Sequence, residues 1–211
     1  MTPPILHYIY DPLCGWCYAA SPLIEAAANA GMSIRLHGGG LFGSPTHVDL
    51  AKRSYMRQSD GRIAELAGVR FGPAYLDGLL DNPATVFWSL PVIAAIVAAG
   101  RVKEGASLPM LRAIQRAHYV EGRRVVEEDV LRDLAESLGL AAADFAQALA
   151  HAEVDEHVAA TRALMARAGV HGFPGFLLER GGRLARVEHT SFYGHPAEFV
   201  NAIAALDQAA T

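Results

Sequence analysis

The chain has 211 residues, of which 52% are hydrophobic and 19% are charged. This length fits one large domain or a core domain with an insertion, and the apolar share is enough for a packed core, which excludes a disordered chain. The formal net charge of −4 lacks the basic surplus of nucleic-acid binders. The longest apolar run, residues 86–99, is shorter than the ~20 residues that span a membrane and contains Ser89 and Pro91. We therefore expect a globular protein that binds neither nucleic acid nor a membrane.

The cysteine content and the N-terminus bear on the compartment. Only two cysteines are present, whereas a secreted disulfide scaffold needs more. The first ten residues contain no Lys or Arg, and Asp11–Pro12 interrupts any apolar region, so no secretory signal is evident. In a reducing compartment a lone Cys-x-x-Cys is usually redox-active or binds a metal. These features predict a cytoplasmic protein.

The chain opens with strand and helix signals in alternation. Residues Ile5–Tyr10 combine apolar, aromatic and β-branched side chains and predict a strand. An alanine-rich helical pattern follows over residues 14–30 and ends at Gly31, while Pro22 should kink it. Residues 32–37 predict a second strand. A β–α–β opening favours a parallel pair of strands.

The middle of the chain has helical patterns almost throughout. Prolines and glycines separate its segments, and Pro91 should kink the helix in which it lies. No strand pattern interrupts this block. The predicted helices are residues 47–59, 84–99, 109–120, 127–138, 142–150 and 154–168.

Strand signals return near the C-terminus. Two apolar runs, residues 175–179 and 184–188, flank Gly181–Gly182, a pair typical of a β-hairpin turn. Residues 196–208 then predict an amphipathic helix. Its apolar face consists of Phe199, Ile203 and Leu206.

The order of these elements predicts the domain organisation. A β–α–β unit, a long helical block and a β–β–α unit follow one another, which indicates an α/β fold with a large all-helical insertion. We expect residues 1–45 and 170–211 to form one domain and residues 46–169 to form the insertion. Such an insertion would cover one face of the α/β domain and could shape a substrate groove.

Cys14 and Cys17 lie at the start of the first predicted helix. Their spacing brings the two sulfur atoms together across one helical turn. The unpaired N–H groups and the positive dipole end of the helix favour a thiolate at Cys14, and the thiolate is the nucleophile in disulfide exchange. We therefore predict that Cys14 attacks a disulfide and that Cys17 resolves the resulting mixed disulfide.

Other interpretations of the cysteine pair stay open. A structural disulfide across so few residues would constrain the unfolded chain only slightly. A zinc site would need two more ligands, and His7, His37 and His171 have no ligand spacing. Inert packing cysteines would not need a position at the start of a helix.

Four features follow one another along the chain. They are an early strand, the segment Cys14–Gly15–Trp16–Cys17, a helical block and the segment VHGFP at residues 170–174. Together they resemble the DsbA-like branch of the thioredoxin superfamily. The segment DPLCGWCY at residues 11–18 is most similar to cytoplasmic members described as FrnE-like proteins or protein disulfide isomerases. The resemblance implies a thioredoxin-like fold with a helical insertion and a thiol–disulfide oxidoreductase, acting as reductase, isomerase or oxidase.

The resemblance also implies a substrate site. Pro174 corresponds to the cis-proline that faces the cysteine pair in this superfamily, where the neighbouring backbone can pair with an extended substrate segment. Trp16 and Phe173 either form an apolar rim at the site or, for Trp16, pack beneath the insertion. The substrate-binding residues that follow from the resemblance are Gly15, Trp16, Phe173 and Pro174.

The sequence departs from the family pattern at two places. Tyr8 stands where many thioredoxin-like proteins have a buried acid, so the proton acceptor for Cys17 is open between His7, Asp11 and water. Gly15–Trp16 adds no positive charge between the cysteines, unlike the histidine of strongly oxidising members. This difference implies a milder oxidant or a reductase.

No organic cofactor and no metal is expected for this chemistry. The resemblance implies protein or small-molecule disulfides as substrates, and glutathione or a redox partner protein as the source of electrons. Two alternatives follow from the same branch and the same residues. One is a glutathione-dependent isomerase or transferase of the hydroxychromene-carboxylate isomerase or kappa type, which often has serine at the first cysteine position, and the other is a cysteine-based metal-binding protein. The sequence does not indicate an oligomeric state.

Overall fold

The structure of the protein, a computed structural model, describes residues 3–209, with the side chains described as far as residue 206. The outer ends of the predicted domain segments, residues 1–2 and 210–211, lie outside the described residues. None of the helices between residues 3 and 209 combines the length and apolar content needed to cross a bilayer.

The strands of the described chain form one mixed sheet in the order β2-β1-β3-β4. The first strand, β1 (Ile5–Tyr10), pairs in parallel with β2 (Ser33–Gly38) and antiparallel with β3 (Gly175–Arg180). The outer strand, β4 (Arg183–Arg186), completes a hairpin with β3. The predicted strands, the parallel pair and the hairpin are all confirmed.

The hairpin turn depends on Gly181 and Gly182. Their φ angles are +54° and +77°, in the left-handed region that side chains with a Cβ atom rarely adopt. Two consecutive residues of this kind match the twist of the flanking strands. The glycine pair therefore determines where β3 ends and β4 begins.

The predicted first helix is divided in two. Helix α1 (Gly15–Ala19) is followed by α2 (Ser21–Asn29), with Ala20 between them. Pro22 is the second residue of α2, where its missing N–H group leaves no helical hydrogen bond unmade. The proline thus marks the start of a new helix.

The helical block is confirmed, and the bounds of α3 (Leu50–Ala67) differ from the prediction at both ends. Asp49 caps α3 by accepting a hydrogen bond from the Lys52 N–H at 2.7 Å, so that helix begins later than predicted and continues to Ala67. A π-helical segment that the sequence patterns did not indicate follows at Ala74–Leu80. The helices of the block are α3 (Leu50–Ala67), α4 (Ser89–Val102), α5 (Ser107–Tyr119), α6 (Glu128–Ser137), α7 (Ala142–Ala150) and α8 (Val154–Ala168).

The predicted start of α4 and the predicted kink at Pro91 are wrong. Residues 84–88, where the helix was expected to begin, are not helical, and Phe87 among them pairs with Thr46 in an isolated antiparallel bridge. Pro91 is therefore the third residue of α4, in the turn whose N–H groups have no helical partner. A proline at that position interrupts no hydrogen bond of the helix.

The last helix, α9 (Pro196–Ala209), follows a short 3-10 turn and packs against α2. Phe199 and Ile203 are fully buried, as their spacing predicted. Leu206 is 47% exposed, which corrects its assignment to the buried face. Helical spacing places it on the same side of α9, but burial also requires a packing partner at that level of the helix.

The two faces of the sheet contact different parts of the chain. Tyr8 and Tyr10 of β1 join the main hydrophobic core, which includes Cys17 and residues of α4, α5 and α9. Ile9, which points to the other face, packs in a smaller cluster with residues of α8, such as Leu164. Because Cys17 of α1 belongs to the core between the sheet and the helical block, the start of α1 lies where these two parts meet.

Candidate active site

The two cysteines differ in their surroundings. Cys14 immediately precedes α1 and is half-buried, whereas Cys17 lies inside α1 and is fully buried. The backbone N–H groups of Cys17 and Tyr18 donate to the Cys14 carbonyl oxygen, each at 3.0 Å, and this contact begins the helix. Both cysteines are free thiols in this structure. Only Cys14 is therefore accessible to a substrate.

The same asymmetry appears in the protonation of the two thiols. A hydrogen bond from the Cys17 thiol lowers the pKa of Cys14, and backbone N–H groups at the helix start add to this effect against the opposing effect of burial. Burial raises the pKa of Cys17 well above its ordinary value, and the hydrogen bond to Cys14 raises it further. Cys14 is thus the sulfur that ionises first, in agreement with the predicted order of the two cysteines.

Of the two residues whose side chains the sequence left open as proton acceptors for Cys17, Asp11 is the one whose backbone contacts that cysteine. Its backbone N–H donates to Cys17 Sγ at 3.4 Å. Its fully buried carboxylate accepts hydrogen bonds from Leu13 N at 2.9 Å, from Leu41 N at 2.6 Å and from the Ser89 hydroxyl at 3.0 Å. Burial raises the pKa of Asp11, while these hydrogen bonds oppose the increase.

His7, the other side chain proposed as an acceptor, lies away from the cysteines. It projects from the sheet face opposite to Tyr8, where Nδ1 lies 2.8 Å from His37 Nε2 and Nε2 lies 2.8 Å from Glu179 Oε2. Tyr8 instead donates its hydroxyl to the Cys17 carbonyl oxygen at 2.9 Å. The family's buried acid is thus replaced at this position by a group that holds the backbone of α1.

The segment before β3 meets the cysteine pair. The Phe173–Pro174 peptide bond is cis, as the resemblance implied. The carbonyl oxygen of Phe173 lies 3.9 Å from Cys14 Sγ, within reach of a weak hydrogen bond from the thiol. The structure therefore brings residues from both ends of the chain together around Cys14.

Arg162 of α8 holds the loop that follows β2 and was not identified from the sequence. Its guanidinium donates to the carbonyl oxygens of Gly39 at 2.6 Å and Gly40 at 2.7 Å, and it lies 5.3 Å from the centre of the Phe173 ring. Its positive charge also lowers the pKa of Asp11. In the sequence, Arg162 is one of several charged residues of a predicted helix, so no local pattern distinguishes it.

Two cavities flank the cysteine motif, and Trp16 lines both. The larger, of about 810 Å³, is also lined by Phe173, Pro174 and Tyr193, and the ring centres of Trp16 and Tyr193 are 5.7 Å apart. Trp16 therefore lies at the rim of the site and contacts the C-terminal part of the chain. The smaller cavity, of about 340 Å³, is lined by Cys14, Gly15, Asp60, Tyr75 and Tyr119, among others.

No group of three or more His, Cys, Asp or Glu side chains among the described residues is arranged to hold a metal ion. His7 and His37 contact each other, but the cysteine pair lies on the other side of the sheet from them. The zinc alternative thus receives no support from the arrangement of these side chains.

Comparison with known proteins identifies the family of this chain and similar solved structures. The profile of one protein family, described as DSBA-like thioredoxin domain, matches residues 5–192. No curated protein matches the chain. Among solved structures, the cytosolic disulfide reductase DsbM from Pseudomonas aeruginosa is 45% identical, with a TM-score of 0.89 over 97% of this chain and 98% of that one.

Two further structures are similar. The structure of DsbM from Pseudomonas aeruginosa with GSH is 43% identical, with a TM-score of 0.87 over 97% of this chain and 99% of that one. A protein from Nitrosomonas europaea, provisionally named a protein disulfide isomerase, is 24% identical, with a TM-score of 0.84 over 98% of both chains, and shows the shared fold. The predicted thioredoxin-like fold with a helical insertion is confirmed. The chain belongs to the DSBA-like thioredoxin domain family, as its sequence predicted, and is an enzyme of the oxidoreductase class.

Proposed function

We propose that this protein is a glutathione-dependent disulfide reductase in which Cys14 attacks the substrate and Cys17 resolves the mixed disulfide. The observation that carries the proposal is the asymmetry of the pair. Cys14 is half-buried with a lowered pKa, whereas Cys17 is buried with a raised one. A nucleophile must be accessible and ionised, and a resolving thiol must wait nearby in its protonated form.

The reaction proceeds by two exchanges. The Cys14 thiolate forms a bond to one sulfur of the substrate disulfide, the substrate S–S bond breaks, and the other sulfur leaves as a thiolate that takes up a proton. Cys17 then loses its proton and attacks Cys14 Sγ, which releases the second substrate thiol and leaves a Cys14–Cys17 disulfide. Two glutathione molecules reduce this disulfide and are themselves joined as glutathione disulfide.

The substrate is proposed to lie across Gly15, Trp16, Phe173 and Pro174. The Phe173 carbonyl oxygen already contacts Cys14 Sγ, so a segment bound along this backbone would bring its sulfur to Cys14. Trp16 lines the cavities on both sides of the motif and would contact the apolar parts of the substrate.

The reductive direction has two sources of support. Gly15–Trp16 adds no positive charge to stabilise the reduced pair in the manner of strong oxidants. The similar protein DsbM is named a cytosolic disulfide reductase, and one of its structures contains GSH. We propose the same compartment for this chain, with protein or small-molecule disulfides as substrates.

The two cysteine variants test this mechanism. Cys17→Ser should still react with glutathione disulfide and accumulate an adduct of one glutathione on Cys14, because the resolving thiol is missing. Cys14→Ser should form no adduct, and both variants should lose glutathione-dependent reduction of a protein disulfide. Intact-protein mass spectrometry and a turnover assay measure these outcomes. Full turnover by Cys14→Ser would refute the mechanism, and turnover that survives the loss of Cys17 would favour the glutathione-dependent isomerase or transferase alternative.

A further inference from the structure

A carboxyl group of the helical block lies against the cysteine motif. Asp60 of α3 is only 4% exposed and lines the 340 Å³ cavity together with Cys14 and Gly15. A Cβ atom placed on Gly15 would lie 2.7 Å from Asp60 Oδ1, closer than two such atoms approach in real structures. The missing side chain at Gly15 thus leaves the space that the Asp60 carboxyl occupies.

The two carboxyl oxygens of Asp60 have different environments. Oδ2 accepts a hydrogen bond from the Tyr75 hydroxyl at 2.9 Å. Oδ1, the oxygen near Gly15, accepts none from any residue that the structure describes. Arg57, on the same helix, directs its guanidinium to Asp77 at 3.2 Å and Asp81 at 2.9 Å. The carboxyl is therefore buried without a cation in contact with it.

Burial raises the pKa of Asp60 to about 6, with the Tyr75 hydrogen bond and the charge of Arg57 opposing the increase. The group consequently holds its proton up to a pH of about 6, and a minor fraction of it is still protonated at neutral pH. The titratable groups around it are Tyr75 of the π-helical segment, Tyr119 of α5, Cys14 ahead of α1, and Arg57, Lys52 and Tyr55 of α3.

Tyr119 adds a second polar group to the same cavity. Its side chain is 1% exposed, and its hydroxyl has no hydrogen-bond partner among the described residues. Burial raises the pKa of Tyr119 well above its ordinary value, so the hydroxyl keeps its proton and can donate it in a hydrogen bond. A buried donor without a partner costs free energy, which a ligand atom in the cavity would recover.

A purely structural role does not require an acid at residue 60. An asparagine would accept the same hydrogen bond from Tyr75 without the cost of burying an ionisable group. Buried acids with raised pKa values beside a nucleophile are typical of groups that transfer protons.

We propose that Asp60 is a catalytic residue that donates a proton to the departing sulfur when Cys14 opens a substrate disulfide. This inference rests on the proposed function. In the step, Cys14 Sγ forms a bond to one substrate sulfur, the substrate S–S bond breaks, and the electron pair goes to the second sulfur. That sulfur takes the proton of Asp60 and leaves as a neutral thiol. The Asp60 carboxylate then recovers a proton from water in the cavity.

This role matters only for basic leaving thiols. An acidic thiol leaves readily as its anion, whereas a more basic alkyl thiol leaves more slowly and gains more from a proton donor. Glutathione disulfide has an alkyl leaving thiol, and 5,5′-dithiobis(2-nitrobenzoate) has an acidic aromatic one. Cys14 attacks both disulfides, but it is mainly the leaving thiol of glutathione disulfide that gains from a proton donor. A change that affects the rate with glutathione disulfide alone therefore reports proton donation.

The test compares Asp60→Asn with the matched control Asp144→Asn, an exposed acid of α7. Single-turnover rates with the two disulfides are measured for each protein. We expect Asp60→Asn to react about 100-fold more slowly with glutathione disulfide, the usual scale of general-acid catalysis, and at an unchanged rate with the aromatic disulfide. Asp144→Asn should match the unmodified protein with both.

A pH profile of the unmodified protein provides a second measurement that does not depend on a variant. The ratio of the glutathione disulfide rate to the aromatic disulfide rate cancels the ionisation of Cys14. We expect this ratio to fall as the pH rises through about 6, because Asp60 then loses the proton it donates. In Asp60→Asn the ratio should be independent of pH.

The outcomes distinguish this inference from the proposed function. An equal decrease with both disulfides, or no decrease with either, would overturn the role of Asp60 while leaving the cysteine mechanism intact. Reaction of Cys14→Ser with both disulfides would overturn the proposed function itself.

Discussion

Asp60 shows how one buried side chain couples stability to pH. Its pKa is about 6 in the folded protein, against an ordinary value of 3.8. Between these two pH values the folded state holds a proton that the unfolded chain has lost, so the free energy of unfolding decreases as the pH rises through this range. Above pH 6 the ionised carboxyl reduces the free energy of unfolding by about 3 kcal/mol.

Asp60→Asn should therefore stabilise the protein at alkaline pH. We expect the free energy of unfolding to rise by about 3 kcal/mol at pH 8 and to change little at pH 2.5, where Asp60 is protonated in both the folded and the unfolded state. Urea unfolding at the two pH values measures the difference, and Asp144→Asn serves as the control. A loss of stability at pH 8 would show instead that the Tyr75–Asp60 hydrogen bond outweighs the cost of burying the charge.

Among the helices, α8 combines a structural role with a position next to the site. It packs on the sheet face opposite to the cysteines through Leu164 and Met165. On the same helix, Arg162 reaches the loop after β2 and contacts the ring of Phe173. A side chain at Gly39 would collide with that ring, since a Cβ atom there would lie 2.2 Å from it. The loop, the helix and the cis-proline segment thus support one another.

Removing the guanidinium of Arg162 tests this support. Arg162→Met keeps most of the aliphatic stem and loses both hydrogen bonds to the loop, so we expect the free energy of unfolding to fall by about 1–2 kcal/mol. The loop should also hold Phe173 less firmly, which predicts a lower kcat/KM for disulfide reduction. The matched control is Arg167→Met, an exposed arginine in the last turn of α8, which should change the stability by less than about 0.5 kcal/mol. Equal effects of the two substitutions would rule out a specific role for Arg162.

The features that sequence patterns predicted depend on nearby residues, and those that they missed depend on tertiary contacts. The Cys14–Cys17 pair, the hairpin at Gly181–Gly182 and the helices α7 and α8 depend on neighbouring residues, and sequence spacing predicts them. The start of α4 depends on the bridge between Phe87 and Thr46, a tertiary contact that no local pattern contains.

The contribution of the helical block to the site was missed for the same reason. In the sequence, Arg162 lies in a predicted helix and Asp60 directly follows another, and only the folded chain brings them to the cysteine motif. The resemblance to a known family located the residues that its members share around the cysteines. It could not locate side chains that act through this chain's own tertiary contacts.

At the scale of the whole molecule, residues 46–169 and the rest of the chain share one hydrophobic core. Cys17 and Tyr8 belong to the same buried cluster as Ile114 and Tyr119 of α5. Tyr18 also stacks on Tyr119 with ring centres 4.7 Å apart. We propose that the insertion and the thioredoxin-like part are two structural units that unfold together in one transition. Unfolding of either unit would expose the hydrophobic core that both units share.

The two tryptophans allow this proposal to be tested, since one lies in each unit. Trp88→Phe leaves Trp16 as the fluorescent reporter of the thioredoxin-like part, and Trp16→Phe leaves Trp88 as the reporter of the insertion. Within each variant, fluorescence and far-ultraviolet circular dichroism, which mainly reports the helical block, should give the same midpoint in urea, as in a two-state transition. Comparing two probes within one variant removes any change in stability that the substitution itself causes.

Separate midpoints in either variant would mean that the insertion unfolds independently. In that case the carboxyl of Asp60 and the guanidinium of Arg162 would leave the cysteine motif before the sheet unfolds, and disulfide reduction should be lost at the lower midpoint.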